Sequence, residues 1–361
     1  VTTTALQELY TDDLAPVLRR LGERPRGAGA DAPPDEEDAG IRAAVWATLA
    51  ELGALRLDRQ ADLVEAVELM GAALHQSPFA DTVTAAELLT ATGAPEYRPV
   101  LDAIAEGAVT VALAVRAEGR TGPGTPGPLV IEGEAGALTV SGTRVFVAFA
   151  ADCGRLAVTG TVDGRVVLAL VPSDGPGVRL RRQDDIGRGD LYEVVLDRAA
   201  VLGPVHDVDA AYPGVLARAR VRQAALLAGS ARGALELTRD RLLSRHVFGE
   251  PLARHQAPAY RLAALAAEIS TVLAFARACA AAADRGEDVR RHGAQVLHLA
   301  GELARRTAAE AVHLHGAYGM TEECDAQLFH RRAAVDAQWL GTGTELLRET
   351  AALLTAAHRA P

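Results

Sequence analysis

Apolar positions recur at helical spacing through the first hundred residues. Leu6, Tyr10, Leu14, Val17 and Leu21 predict an opening amphipathic helix. Ile41, Val45, Leu49 and Leu52 predict a second, and Leu63, Val67, Met70 and Leu74 a third. Shorter helical pieces follow over 81–92 and 97–106. Between the first two, residues 24–38 are rich in Gly, Pro, Ala and acids and predict a mobile linker. The texture changes near Val109, where Val109-Thr110-Val111-Ala112-Leu113-Ala114-Val115 is short and β-prone. Similar runs lie at 129–131, 137–140, 145–147, 155–158 and 166–171, separated by Gly, Asp and Pro turns. Strands at this spacing predict an antiparallel β-domain ending near Val208.

From Pro213 the pattern is helical again. Leu262, Leu265, Ile269 and Val272 form one stripe, and Val296, Leu299 and Leu303 another. Four long helices fit, over 213–245, 257–285, 289–315 and 325–357, the last interrupted at Gly341-Thr342-Gly343. The expected class is α+β. Residues 1–108 form an N-terminal helical domain, 109–208 a central antiparallel β-domain and 209–361 a C-terminal four-helix bundle.

Composition narrows the partners. The net charge of −10 argues against nucleic acid or an anionic membrane surface. All basic residues are Arg, so a lysine Schiff base is excluded. Cys153, Cys279 and Cys324 form no C-x-x-C pair and predict buried free thiols in a reducing compartment. No leader pattern opens the chain and no apolar run is expected to span a bilayer, so the expectation is a cytoplasmic protein.

Three blocks carry candidate chemistry. The first is Arg245-His246-Val247-Phe248-Gly249-Glu250-Pro251-Leu252-Ala253-Arg254-His255-Gln256. The second is His313-Leu314-His315-Gly316-Ala317-Tyr318-Gly319, and the third runs from Trp339 through Gly341-Thr342-Gly343 to Arg348. Together they resemble the C-terminal half of an acyl-CoA dehydrogenase, whose motifs are R-x-x-F-G-x-x-L-x-x-x-Q, Q-x-x-G-G-x-G and a Y-E-G-T turn. The order of helices, β-domain and bundle extends the resemblance over the whole chain.

The resemblance implies FAD. Arg245 would pair with its pyrophosphate, Phe248 would wall it and Gln256 would meet a ribose or base edge, all reaching across an interface to a neighbour's cofactor. It would set His313, Gly316 and Ala317 against the adenine and pyrophosphate, with His313 in place of Gln and an extra methyl at Ala317. Thr342 and Phe146 would lie along the flavin, where Ala148 lacks the usual hydroxyl. The stretch 114–122 keeps little of the family's L-T-E-P-x-A-G-S-D loop. His313 and His315 fall on different helix faces and are no metal pair.

The acid that takes the substrate α-proton in the family is missing. Its slot holds Leu340 in one register and Gly341 in the other. Relatives that carry it on the first bundle helix would place it near Gln223, and no acid stands between Val215 and Leu235. Glu345 is expected to be an ordinary helix-start acid. No catalytic residue is therefore assigned.

Three readings stay open. One is a subunit that completes the FAD site of a paralogous partner in a heterotetramer acting on an acyl-CoA, such as a steroid-derived thioester, with an electron-transferring flavoprotein as acceptor. Another is a homo-oligomeric flavin enzyme with altered chemistry in natural-product tailoring. The third is a flavin-free structural homologue.

Overall fold

The computed structural model describes residues 10–22, 36–56, 59–117, 124, 126–134, 136–187 and 189–359. Five helices lead: α1 Ala15–Gly22, α2 Glu36–Glu51, α3 Gln60–Ala72, α4 Phe79–Ala91 and α5 Arg98–Ala105. The expected stripes face inward, with Leu14, Ile41, Val45, Leu49, Leu63, Val67 and Met70 all buried. Leu6 and the side chains of Tyr10 and Leu21 lie outside the described residues. So does most of the expected linker, whose last three residues, 36–38, instead begin α2.

Helix α3 has no capping side chain of its own at Arg59. Its first N–H groups are met from far along the chain. The Asp284 carboxylate accepts from Gln60 N–H at 2.6 Å and from Ala61 N–H at 3.1 Å.

The strands are β1 Val111–Ala114, β2 Arg116–Ala117, β3 Val130–Glu132, β4 Thr139–Ala148, β5 Arg155–Val162, β6 Arg165–Pro172, β7 Val178–Gln183, β8 Leu191–Ala200 and β9 His206–Asp207. They form two sheets, ordered β1-β5-β6-β9 and β2-β4-β8-β7, with β3 also on β4. Ala112, Leu156, Val158, Ala169 and Val171 of one sheet share a core with Val140, Val147, Val194 and Leu196 of the other.

The antiparallel expectation needs one correction, because β1 and β5 pair in parallel. The chain crosses to the second sheet for β2 to β4 before returning, as a parallel pairing requires. The runs expected at 137–140 and 145–147 are one strand, β4, interrupted by register shifts at Val140/Gly142 and Arg144/Val147. Strands β7 and β8 were not expected individually, since β7 reads Val-Arg-Leu-Arg-Arg-Gln and is largely exposed.

The C-terminal helices are α6 Tyr212–Ser244, α7 Gln256–Asp284, α8 Arg290–His315, α9 Asp325–Asp336 and α10 Gly343–Arg359. A hairpin of β10 His246–Val247 and β11 Glu250–Pro251 joins α6 to α7. The fourth expected helix is thus two, broken before Gly343 as the glycines foretold. Helix α7 corrects another expectation: it is long and apolar enough to cross a membrane by length and composition. In the fold it packs on α3, α6 and α8. Arg277 of this helix pairs with Glu65 at 2.6 Å and Glu68 at 2.5 Å on α3. The three cysteines are free and buried.

Helix α6 runs through the centre and touches α3 through glycine. A Cβ at Gly229 would stand 2.1 Å from the Glu68 carbonyl oxygen, and one at Gly71 would stand 2.0 Å from that of Leu226. Gly229→Ala is expected to push the two helices apart and cost about 2–3 kcal/mol, within the range for overpacked cores. A lowered urea midpoint with an unchanged slope would show it.

Candidate functional site

The described residues enclose a pocket where the three parts of the fold meet. It holds about 950 Å³ of open space, counting its mouth. Gly71 and Leu74 of α3 and its end, and Ala80, Asp81 and Thr84 of α4, form one side. Leu113, Ala148, Phe149, Asp185, Gly187, Gly189, Asp190 and Leu191 come from the β-sandwich. Ala219, Gln223, Leu226 and Ser230 of α6 face Arg332, Val335, Asp336, Trp339 and Leu340.

Two expected base positions converge there. Leu340 and Gln223 line this one cavity from different helices, and neither can ionise. Gln223 Nε2 donates to the Asp336 carbonyl oxygen at 2.9 Å. Buried Arg220 donates from Nε to the Leu340 carbonyl at 3.0 Å and pairs through Nη1 with Glu349 at 2.7 Å, fixing the turn. The alternative register is disfavoured by geometry. Gly341 has φ +135°, and a Cβ there would come 3.0 Å from Leu346.

Thr342 and Glu345 form a capping box for α10. Thr342 N–H donates to Glu345 Oε2 at 2.7 Å, and Glu345 N–H donates to Thr342 Oγ1 at 3.3 Å. Glu345 is thus the expected helix-start acid. The Thr342 hydroxyl accepts from the helix, and the residue does not line the pocket.

Two carboxylates in the pocket were missed in the sequence. Asp81 is 8% exposed and accepts from Leu113 N–H at 3.4 Å and from the Trp339 indole N–H. Burial pushes its pKa up to about 7 despite those bonds. Asp336 is pushed up to about 6 by burial, with Arg332 pulling it down and Asp185 pushing it up. A carboxylate that titrates near neutrality is suited to general-base work. The signal was present as acids interrupting apolar helical runs, Phe79-Ala80-Asp81 and Ala333-Ala334-Val335-Asp336.

Phe146 stands beside the pocket instead of in its wall. It has φ +59°, and the Arg116 guanidinium lies over its ring at 4.9 Å. Arg116 also donates to the Gln338 carbonyl at 3.2 Å. Ala148 lines the pocket without a hydroxyl, as expected. Residues 118–122 of the expected flavin loop lie outside the described residues.

The first motif forms a rigid arm. Arg245 ends α6 in extended conformation, and the β10–β11 hairpin turns at Phe248 (φ +53°) and Gly249 (φ +88°). Positive φ at both turn residues matches a type I′ hairpin, which normally places Asn or Gly at the first. An aromatic there is strained, and Phe248 is 95% exposed. His255 braces it edge-on at 6.2 Å, and its ring Nε2 lies 3.3 Å from the Val247 carbonyl oxygen. Arg245 and Gln256 are exposed beside it.

The second motif adjoins the arm. Arg241, one turn before Arg245, stacks over Tyr318 at 5.4 Å, which brings the 316–320 turn to the end of α6. His313, Gly316 and Ala317 are exposed, and Gly316 (φ +69°) has open space around it. His315 is buried with Nδ1 2.8 Å from the Ala311 carbonyl oxygen, so the two histidines do take different faces. Among the described residues no group of three His, Cys, Asp or Glu could hold a metal.

The residue types present suit a dinucleotide: a guanidinium for a pyrophosphate, an aromatic face and an amide. Arg245, Phe248, Gln256, His313, Gly316 and Ala317 are solvent-facing and open to a cofactor arriving from outside the chain. The pocket itself offers the flavin edge no hydroxyl at Ala148.

Helices, β-sandwich and a second set of helices closing on one pocket define the acyl-CoA dehydrogenase fold. Residues 211–353 match the family model for the acyl-CoA dehydrogenase C-terminal domain. It is 31% identical over 176 residues to acyl-CoA dehydrogenase FadE28 of Mycobacterium tuberculosis, covering 49% of each protein. The chain spans about half the length of the curated relatives it matches. In fold it is similar to the Tcur3481-Tcur3483 steroid acyl-CoA dehydrogenase, with TM-score 0.84, 23% identity and coverage of 99% and 98% of the two chains. It is equally similar to the ChsE4-ChsE5 complex of Mycobacterium tuberculosis, with TM-score 0.84, 20% identity and coverage of 100% and 99%.

Proposed function

We propose that this chain is a subunit of an acyl-CoA dehydrogenase-type flavoenzyme whose Arg245–Gln256 arm completes the FAD site of a neighbouring, paralogous subunit. The observation that carries this reading is the braced, strained and almost wholly exposed Phe248, flanked by exposed Arg245 and Gln256. An aromatic so placed has its packing partner in another molecule. FAD, when bound, supplies the hydride acceptor. Arg245 would hold the pyrophosphate, Phe248 would cover an apolar face, and His313, Gly316 and Ala317 would line the adenine end. The partner would bring the acid absent at Leu340 and Gln223. The substrate would be an acyl-CoA dehydrogenated between Cα and Cβ. A steroid-derived thioester suits both the roomy pocket and the steroid enzyme among its structural neighbours. An electron-transferring flavoprotein would accept the electrons, and the assembly would work in the cytoplasm.

The test is purification of the chain alone and after co-expression with a paralogue encoded nearby. The expected result is a flavin-poor chain alone and a yellow hetero-oligomer that reduces its flavin with an acyl-CoA. A lone homo-oligomer with one FAD per chain and full activity would overturn the heteromeric assembly. A colourless product in every combination would select the flavin-free reading.

One observation favours a second assembly. Asp81 and Asp336 give this pocket ionisable groups of its own. That suits a homo-oligomer in which the arm serves another copy and each pocket does its own, altered flavin chemistry.

A further inference from the structure

We propose that Asp336 is the catalytic proton acceptor of this chain's own pocket, replacing the acid absent at Leu340 and Gln223. The assignment rests on the reading that the pocket receives an acyl thioester, which either assembly allows.

Placement is the first support. Asp336 closes α9 one turn before Leu340 and lines the same cavity. The Gln223 amide, the second vacant base position, is anchored on the backbone carbonyl of Asp336 at 2.9 Å. The residue therefore sits between the two empty positions and lines the cavity with them.

Availability is the second support. Four carboxylates line the cavity. Asp185 accepts from Gly187 N–H at 2.7 Å and Gly189 N–H at 3.0 Å. Asp190 accepts from the Tyr192 hydroxyl at 3.0 Å, and Asp81 is held by Leu113 and Trp339. Asp336 alone of the four has no hydrogen bond to its carboxylate among the described residues.

The surroundings keep it ionised at neutral pH and protonatable just below. Arg332 of the same helix favours the charged form, and Asp185 opposes it. Asp190 just before β8, Asp81 on α4 and His75 after α3 are the other titratable groups facing the cavity. Burial, Arg332 and Asp185 together leave a group that titrates at about 6.

In the step assigned to it, the substrate Cα–H bond breaks and the proton moves to the Asp336 carboxylate. The electron pair passes into the thioester as an enolate. A flavin, when bound, would supply the hydride acceptor for full dehydrogenation. Proton transfer itself needs no oxidant, so it can be measured alone.

The probe is a 3-thiaacyl-CoA, whose sulfur at the β-position leaves no hydride to transfer. The purified chain, in the oligomer it forms, is mixed with the probe in D2O, and loss of the Cα proton is followed by NMR. Binding is measured in parallel by calorimetry. Wild type is expected to catalyse exchange, rising through about pH 6 and flat above. Asp336→Asn is expected to bind the probe as wild type does and to exchange about 100-fold more slowly or worse, without the inflection. Asp336→Glu should retain measurable exchange, and Asp81→Asn should lose less than about tenfold, as expected of a carboxyl that does not take the proton itself. Unchanged exchange in Asp336→Asn, with binding intact, would overturn the assignment alone. Failure of wild type to bind the probe would overturn the reading of the pocket and the assignment with it.

Discussion

Asp81→Asn is expected to stabilise the protein above pH 7 by about 2–4 kcal/mol, a gain that shrinks to nothing near pH 4. Burial raises the folded pKa of Asp81 from its ordinary 3.8 to about 7. At pH 8 the group is ionised in both states, and the folded state bears the full cost of a buried charge. As pH falls through 7 the folded protein takes up a proton that the unfolded chain does not yet hold, and stability rises. Below about 3.8 both states are protonated and the rise ends. Asparagine keeps the size and gives up the charge. It also loses the charged form's bonds from Leu113 N–H and the Trp339 indole, which trims the gain. Urea unfolding at pH 5 and pH 8 measures it. If the variant is less stable than wild type at pH 8, the carboxylate is not held near neutrality in the fold.

The second large effect is on cofactor retention. Phe248→Ala and Arg245→Ala are each expected to weaken FAD binding by the assembled oligomer about 30-fold to 100-fold or more, with the urea midpoint unchanged. Phe248 is 95% exposed, so its ring contributes little to the isolated subunit, and a well-buried aromatic anchor at an interface carries about 2 kcal/mol or more. Arg245 is exposed at the end of α6 and would lose charge-assisted bonds to a pyrophosphate. Flavin fluorescence released on dilution reports both. Retention at the wild-type level in both variants would remove the arm from the cofactor site.

The helices were legible because their stripes survive folding intact: Ile41, Val45 and Leu49 are as buried as their spacing requires. The break before α10 was legible from two glycines. Strand β4 was read as two because its register shifts break the alternation that reveals a strand. Strand β7 was hidden by its arginines, which an exposed strand tolerates. At the candidate site, the arm and the 316 turn could be read as candidates because their motifs are contiguous in sequence. The pocket carboxylates could not, because Asp81 and Asp336 lie 255 positions apart and only the folded chain sets them in one cavity. A search along one stretch for a displaced acid could not see an acid supplied by a different turn.

The cap at the start of α3 has a consequence for biosynthesis. The carboxylate that finishes this helix belongs to Asp284, at the far end of α7. On the ribosome those first amides wait more than two hundred residues for their acceptor. The front of the molecule is therefore completed by its back, and a fragment ending before residue 284 is expected to emerge with a frayed third helix.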